Sequence, residues 1–272
     1  MFLIGLLLVV LVAAVLAYAA FEAGWLRKRV LEVPIDGLPP VLDGLRVAHL
    51  SDFHLGAPLS RGNRASAQAV DWVAARRPDL VCVTGDLVSQ PRGEPRLREL
   101  LSRLERPFVV LGNHDVAVTR DPFSRSAELR DLERAVLLRD ELATVELRGL
   151  QVALVGVDPV SYRARHSRPE RRLAPGAALR ILLCHFPGIV RSLGPGSFDL
   201  ILAGHLHAGQ ICLPIPGKRV TLAHPRARFV TGLYRTPAGA MHVSPGTGTT
   251  FVPLRFLARP EVTELVLRRA LE

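Results

Sequence analysis

Carboxylate, imidazole and amide side chains recur in five short motifs along this chain of 272 residues. Together they are ligands that suit borderline divalent ions such as Mn, Fe or Zn. Seven candidate ligands are more than one ion can hold, and they suit two ions that share one carboxylate. Two ions roughly 3.5–4 Å apart lower the pKa of a bound water and clamp an in-line displacement at phosphorus. The motifs are Asp52-Phe53-His54, Gly85-Asp86, Gly112-Asn113-His114-Asp115, His185 and Gly204-His205-Leu206-His207.

Each motif follows a short apolar run that is typical of a buried strand. Helical periodicity separates the early runs, at about Arg64 to Arg76 and about Pro95 to Glu105. This alternation predicts an α/β sandwich built from βαβ units, with ligands at the carboxyl ends of its strands. Residues i and i+2 of an extended segment point to the same side, so two of the motifs can each chelate from one backbone. The predicted strands are Leu45–Leu50, Leu80–Thr84, Phe108–Leu111, Gln151–Val157, Leu179–Cys184, Leu200–Ala203, Ala240–Ser244 and Val262–Leu267.

Residues 1–21 carry no charged side chain. As a helix they measure roughly 31 Å, which matches the hydrocarbon core of a bilayer. A cleavable signal peptide is the alternative, because Ala17-Tyr18-Ala19 has the form of a cleavage site. Against it, no Lys or Arg precedes the apolar run, and the run exceeds the usual length of about 7–15 residues. The basic residues 27–29 follow directly, so the positive-inside rule predicts a cytoplasmic domain; an exported or outward-facing domain is the alternative.

The chain has a net charge of +10, and 33 of its 35 cationic residues are arginine. Guanidinium groups bind phosphate bidentately, so this composition favours anionic substrates or surfaces. The basic stretches lack interleaved aromatic residues, which argues against nucleic acid as a partner. Three cysteines are too few for a small domain held together by disulfides.

The five motifs, in this order between Leu45 and His207, resemble the calcineurin-like metallophosphoesterase superfamily. The flanking segments 51–56 and 207–210 resemble its membrane-anchored bacterial phosphodiesterase branch, although Ala208 stands where that branch often has glycine. The resemblance implies a four-layer α/β/β/α sandwich behind an N-terminal transmembrane helix. We accordingly expect a transmembrane anchor over residues 1–26, a linker over 27–44 and a metallophosphoesterase catalytic domain over 45–272. Within the linker, Glu32 to Asp43 is typical of an extended connection or an edge strand.

The resemblance also implies a role for each motif residue. His114 would act beside the reacting phosphate without binding a metal, with Asp86 or Asp115 as its partner. One metal would be held by Asp52, His54, Asp86 and His207, and the other by Asp86, Asn113, His185 and His205.

We therefore expect a metal-dependent phosphoester hydrolase with a dinuclear metal centre and a bridging hydroxide. A phosphodiesterase or pyrophosphohydrolase acting on a membrane-associated or lipid-linked substrate is favoured. The alternative is a membrane-tethered protein that binds anionic lipid or nucleic acid and uses metals structurally. The Arg-rich loop 163–172 is either a solvated charge run or an anion-capturing rim, and residues 116–138 are a second candidate cap over the site. The sequence does not indicate an oligomeric state.

Overall fold

The computed structural model describes residues 2–58, 60, 62–173, 175–215, 218–223 and 225–270. These residues form two six-stranded sheets, a small hairpin and several helices. The helices are α1 (Phe2–Glu22), α2 (Gly62–Arg76), α3 (Glu94–Ser102) and α4 (Pro159–Arg163). The strands are β1 (Arg27–Ile35), β2 (Arg46–Leu50), β3 (Leu80–Thr84), β4 (Phe108–Val110), β5 (Val136–Leu137), β6 (Leu142–Leu147), β7 (Leu150–Gly156), β8 (Leu179–Leu183), β9 (Leu200–Ala203), β10 (Cys212–Ile215), β11 (Lys218–Thr221), β12 (Gly232–Thr236), β13 (Gly239–Val243) and β14 (Glu261–Arg269).

The two large sheets pack face to face. The first has the strand order β1-β14-β2-β3-β4-β5, and the second has the order β12-β13-β9-β8-β7-β6. Their inner faces meet in one apolar core, in which Val47 and Cys82 lie with Ile181 and Leu202. Strands of this kind are apolar on both faces, so each outer face also needs a cover.

Helices provide that cover on the first sheet, whereas the second sheet has a thinner layer. α2 and α3 pack on the outer face of the first sheet through residues such as Val73 and Leu100. The outer face of the second sheet is covered by Tyr162 of α4 and by Ile189 in a short 3-10 turn. The α/β/β/α sandwich predicted from the sequence is confirmed, and its fourth layer is formed by short turns.

The segment expected to be a linker contains a strand. β1 pairs in parallel with β14 over nine residues, from Arg27 opposite Glu261 to Ile35 opposite Arg269. β1 is the edge strand of the first sheet. The edge-strand interpretation therefore holds as far as Ile35, and this part of the segment belongs to the sheet.

α1 is a 21-residue apolar helix long enough to cross a membrane. Nearly all of its side chains are exposed, whereas Ala19 and Glu22 in its last turn are buried. The exposed apolar helix matches the span predicted from the sequence, and its last turn packs against the rest of the protein.

Candidate metal centre

The motif residues come together where the carboxyl ends of strands from both sheets meet. β2, β3 and β4 of the first sheet lead into the motifs at residues 52–54, 86 and 113–115. β8 and β9 of the second sheet lead into His185 and the motif at 205–207. The strand ends face one another across the sandwich, so the two sheets supply opposite walls of one site.

The ligand atoms fall into two clusters that share one carboxylate. In each cluster all of the candidate atoms lie within 4.8 Å of one another. Asp86 belongs to both, because its Oδ2 lies 3.5 Å from His54 Nε2 and 3.1 Å from His185 Nε2. The first cluster is Asp52, His54, Asp86 and His207, and the second is Asp86, His185 and His205. The sequence resemblance implies the same grouping of these carboxylates and histidines, with Asn113 as a further member of the second set.

Asn113 adds an oxygen atom to this arrangement. Its Oδ1 is buried and has no hydrogen-bond partner among the described residues. A buried amide oxygen without a partner costs about 1–3 kcal/mol, so such atoms in native proteins call for a ligand or a bound water. The amide oxygen therefore fits a divalent ion that completes the second cluster.

Neighbouring residues fix the orientation of the imidazole rings. His185 Nδ1 lies 2.8 Å from the Thr84 carbonyl oxygen, which can only accept, so this nitrogen carries the proton and Nε2 is directed towards Asp86. His54 Nδ1 lies 3.0 Å from Ser89 Oγ, and its Nε2 lies 3.0 Å from His207 Nε2. Contacts of this kind to the far ring nitrogen are typical of metal-ligating histidines.

The backbone at the site is not extended, which corrects the reason given for the paired spacings. Asp52, His54 and Asp86 have φ between 49° and 53°, and His205 and His207 have φ of 78° and 49°. The side chains within each pair converge because the chain makes tight left-handed turns there. Such conformations cost about 1–3 kcal/mol each and occur preferentially at functional sites.

Two glycines allow the strand ends to approach each other. A Cβ atom on Gly112 would collide with Asp86 Oδ1, and a Cβ atom on Gly204 would collide with Ser51 Oγ. Only glycine allows the motif loops to pack this closely.

Burial and mutual charge set the protonation of the cluster. Burial raises the pKa of Asp52 to about 7. Burial alone would raise the pKa of Asp86, but the neighbouring His185 and His114 hold it well below its usual range. Burial would lower the pKa of His185, but the Asp86 carboxylate raises it to about 9. Burial keeps the pKa values of His54 and His207 well below their usual range, so both rings are neutral, the form that binds metals.

His114 lies beside the clusters, and the carboxylates of Asp86 and Asp121 lie near it. Its backbone amide donates to Asp86 Oδ1 at 2.8 Å, and its ring Nδ1 lies 3.8 Å from Asp121 Oδ2. Asp115 instead accepts from the backbone amides of Gly112 and Val88, at 2.8 and 2.9 Å. Of the two expected partners, Asp86 thus bonds to the His114 backbone, while Asp115 holds two motif loops together.

A cavity of about 750 Å³ opens over the clusters, and its wall includes Asp86, Asn113 and His114. Two exposed arginines, Arg120 and Arg163, lie in the same wall. Each comes from one of the two segments that the sequence singled out as candidate caps. Both segments therefore reach the site.

No motif in the sequence points to a role for the segment 244–258, which closes the site from the side. Arg255 is fully buried, and its Nη2 lies 3.2 Å from His207 Nδ1. Its guanidinium also donates to the carbonyl oxygens of Pro245, Gly248 and Ala258, at 2.8, 2.6 and 2.9 Å. Nothing in the local sequence distinguishes this arginine from the 32 others.

The chain is similar to known proteins in sequence and in fold. Residues 45–209 match the calcineurin-like phosphoesterase family. The uncharacterized metallophosphoesterase YkoQ of Bacillus subtilis is 29% identical over 84% of this chain and 85% of that protein. A transmembrane protein with metallophosphoesterase domain from Danio rerio is 32% identical over 97% of this chain, which spans only 62% of that protein. The solved NAD nucleotidase of Haemophilus influenzae aligns with a TM-score of 0.45 at 13% identity, over 77% of this chain and 53% of that chain.

The family match covers every motif from β2 to the residues after β9, and the motif side chains form a cluster that can bind metal. The chain belongs to the calcineurin-like phosphoesterase family and is a phosphoester hydrolase.

Proposed function

We propose that the chain is a dinuclear metal-dependent phosphodiesterase or pyrophosphohydrolase that acts on a membrane-associated or lipid-linked substrate. The main support is the position of Asp86, whose one carboxylate oxygen faces histidines of two separate ligand clusters. A carboxylate placed in this way can bridge two ions.

The residues present fit two divalent ions. One site would be held by Asp52, His54, Asp86 and His207, and the other by Asp86, Asn113, His185 and His205. Mixed imidazole, carboxylate and amide ligands suit Mn, Fe or Zn. When bound, a pair of such ions lowers the pKa of water and stabilises negative charge on a phosphoryl group.

His114 is proposed as the catalytic residue of the cavity wall. It orients the phosphoryl group or protonates the leaving oxygen. Its ring is held edge-on to His54 with the ring centroids 4.6 Å apart, and its Nε2 lies 3.3 Å from Thr119 Oγ1. Asp121 Oδ2 lies 3.8 Å from its Nδ1. Asp86 contributes by fixing the His114 backbone, and Asp115 contributes by positioning the loops.

Arg120 and Arg163 favour a substrate that has more negative charge than the scissile phosphate alone. They lie in the wall of the same cavity, where guanidinium groups can bind phosphate oxygens bidentately. A diester or pyrophosphate with a second charged group would use both. Such a group is common in lipid-linked phosphates, and the apolar helix α1 favours a substrate at a membrane.

We further propose that α1 anchors the chain in the cell membrane, with the catalytic domain in the cytoplasm. Basic residues 27–29 follow the span directly, which favours this orientation. A reporter fused to the carboxyl terminus tests it: activity of a cytoplasmic reporter is expected, and activity of a periplasmic reporter would reverse the orientation.

The experiment that tests the activity compares Asp86→Asn with wild type in hydrolysis of bis(p-nitrophenyl) phosphate at saturating Mn²⁺. The substitution keeps the volume of the side chain but removes the bridging charge, so we expect loss of turnover in a folded protein. Asp71→Asn, which changes an exposed carboxylate of α2, is the matched control and should retain full turnover. Turnover by Asp86→Asn would refute the proposal. Salt-sensitive binding of anionic vesicles by a wild type that shows no turnover would favour the binding-protein alternative.

A further inference from the structure

The strand order places the end of the anchor at the same edge of the sheet as the metal centre. β1 begins five residues after α1 and runs parallel to β14, which runs antiparallel to β2. In this register Arg29 lies opposite Thr263, and Thr263 lies opposite His49 near the carboxyl end of β2. The first residues after the anchor therefore lie at the edge where β2, β3 and β4 deliver their motifs.

The last turn of the anchor is fixed to a segment beside the site. Glu22 is buried, and its carboxylate accepts from the backbone amides of Leu257 and Ala258 at 3.0 and 2.6 Å. The Arg255 amide donates to the Ala19 carbonyl at 3.0 Å, while the Arg255 side chain reaches His207. One residue thus contacts both the anchor and a metal-ligand candidate. These contacts fix the orientation of the domain relative to α1.

Exposed apolar side chains surround the cavity on this side. Leu222, Phe251 and Val252 line the cavity and are 55%, 53% and 41% exposed. Leu257, next to the Glu22 contact, is also exposed. Phe251 and Leu257 have φ of 58° and 55°, a conformation that bulky residues rarely adopt. Apolar side chains held towards solvent by a strained backbone indicate a surface with a binding role.

The hairpin of β10 and β11 extends this surface. Leu213 and Ile215 on β10 are exposed, and the Cys212 amide donates to the carbonyl of Phe256 at 2.9 Å. The ring of Phe256 in turn packs edge-on against Tyr18 of the anchor, with centroids 5.7 Å apart. We call the whole surface the apolar rim; its residues are Leu213, Ile215, Leu222, Phe251, Val252 and Leu257.

Residues typical of a membrane interface accompany the rim. Trp25 follows the anchor and is partly exposed, and the Arg259 guanidinium stacks 3.7 Å from the centre of its ring. Arg27 and Lys28 follow as the first two residues of β1, and both are exposed. Tryptophan and basic residues at the end of a membrane span lie at the level of the lipid headgroups.

We propose that the apolar rim inserts into the headgroup–acyl boundary of the bilayer that α1 spans, so that the cavity opens onto the membrane surface. The substrate is then a phosphoester amphiphile whose acyl chains stay in the bilayer while its phosphorylated headgroup enters the cavity. The choice of substrate rests on the proposed hydrolytic function, whereas the insertion of the rim rests on the proposed membrane span of α1, on the contacts of its last turn and on the exposed apolar side chains.

The test uses the full chain in phospholipid vesicles with one environment-sensitive NBD label. Leu257→Cys and Ile215→Cys place the label on the rim, and the native Cys82, Cys184 and Cys212 are buried and shielded from labelling. Val41→Cys is the matched control, because Val41 is exposed beyond the far end of β1, roughly 30 Å from the anchor at about 3.3 Å per strand residue. We expect blue-shifted emission and quenching by brominated lipids at 257 and 215 but not at 41.

Water-like emission at both rim positions would overturn the inference. A blue shift without quenching by brominated lipids would overturn it as well, because the labels would then be buried against protein and not in the bilayer. Hydrolysis is measured separately on a soluble diester and on a lipid phosphodiester embedded in the vesicles. Turnover of the soluble diester with a water-exposed rim would leave the proposed function intact and refute the inference. Lipid-quenched rim labels with no turnover of either substrate would refute the proposed function while the rim assignment stands. Hydrolysis of the lipid phosphodiester at least tenfold faster than of the soluble diester would support both the proposed function and the insertion of the rim.

Discussion

Replacing Arg255 by methionine tests the idea that a buried guanidinium braces the metal centre. In the described residues, this guanidinium is the hydrogen-bond donor to the carbonyls of Pro245, Gly248 and Ala258. Leaving three buried acceptors without a partner costs about 3–9 kcal/mol, at 1–3 kcal/mol each. Methionine also avoids burying a charge.

The cost of burying the charged guanidinium opposes this loss, and the pKa of Arg255 gives its size. Burial lowers the pKa of Arg255 to about 10 from a usual value near 12.5. At 1.36 kcal/mol per pKa unit, this desolvation corresponds to about 3 kcal/mol that the substitution recovers. The net loss of unfolding free energy is therefore about 3 kcal/mol, the middle of a range from about 0 to 6 kcal/mol.

The assay is urea unfolding of the full chain in detergent, together with Mn²⁺ affinity measured by titration. We expect a loss of about 3 kcal/mol and weaker metal binding, since the guanidinium also contacts His207. Arg268→Met removes a surface arginine paired with Glu32 and Asp43 and is the matched control, for which we expect no resolvable change in stability or metal affinity. A loss below about 1 kcal/mol for Arg255→Met, with unchanged metal affinity, would refute the bracing role.

Two further predictions concern the metal clusters directly. Gly112→Ala should reduce metal affinity about 10–100-fold, because the new Cβ collides with Oδ1 and with the backbone nitrogen of the shared residue Asp86. Isothermal titration with Mn²⁺ checks this, and wild-type affinity would contradict it. The apparent metal affinity should rise about tenfold per pH unit between pH 7 and 9 as His185 loses its proton, and more steeply below pH 7 where Asp52 is also protonated. An affinity that does not change over this range would show that neither group must release a proton to bind metal.

The sequence was sufficient to predict which strands and motifs meet at the site, because these follow from the order of residues along the chain. Short apolar runs followed by polar motifs predicted which strands deliver ligands, and β3 and β9 begin and end at the predicted residues. The two ligand sets followed from the family resemblance, and the structure brings their histidines and carboxylates together. These features depend on residues that are close in sequence or on a motif order that can be read directly.

Other features could not be predicted, because they depend on contacts between distant residues. Asp121 meets His114 through a loop without regular structure, and Arg255 meets His207 across 48 positions. The strand at 27–35 was ambiguous because its partner, β14, comes more than 200 residues later. The left-handed turns at Asp52 and His54 were missed because extended geometry was assumed after a strand.

The docking of α1 on the domain also depends on contacts between distant residues. A helix that is apolar on all sides can be recognised from composition, but its docking through Glu22 cannot. That contact holds the edge of the sheet that carries the motifs close to the end of α1. Variants in this contact and in the apolar rim therefore test the proposed placement of the domain at the membrane, whereas variants in the metal ligands test metal binding and hydrolysis.

The central claim is that two ions share Asp86. Electron paramagnetic resonance of the Mn²⁺-loaded chain tests it most directly, because ions roughly 3.5–4 Å apart couple magnetically. We predict close to two Mn²⁺ per chain and an exchange-coupled spectrum, which Asp86→Asn converts to the signal of isolated ions. A spectrum of isolated Mn²⁺ from the fully loaded wild type would contradict the account.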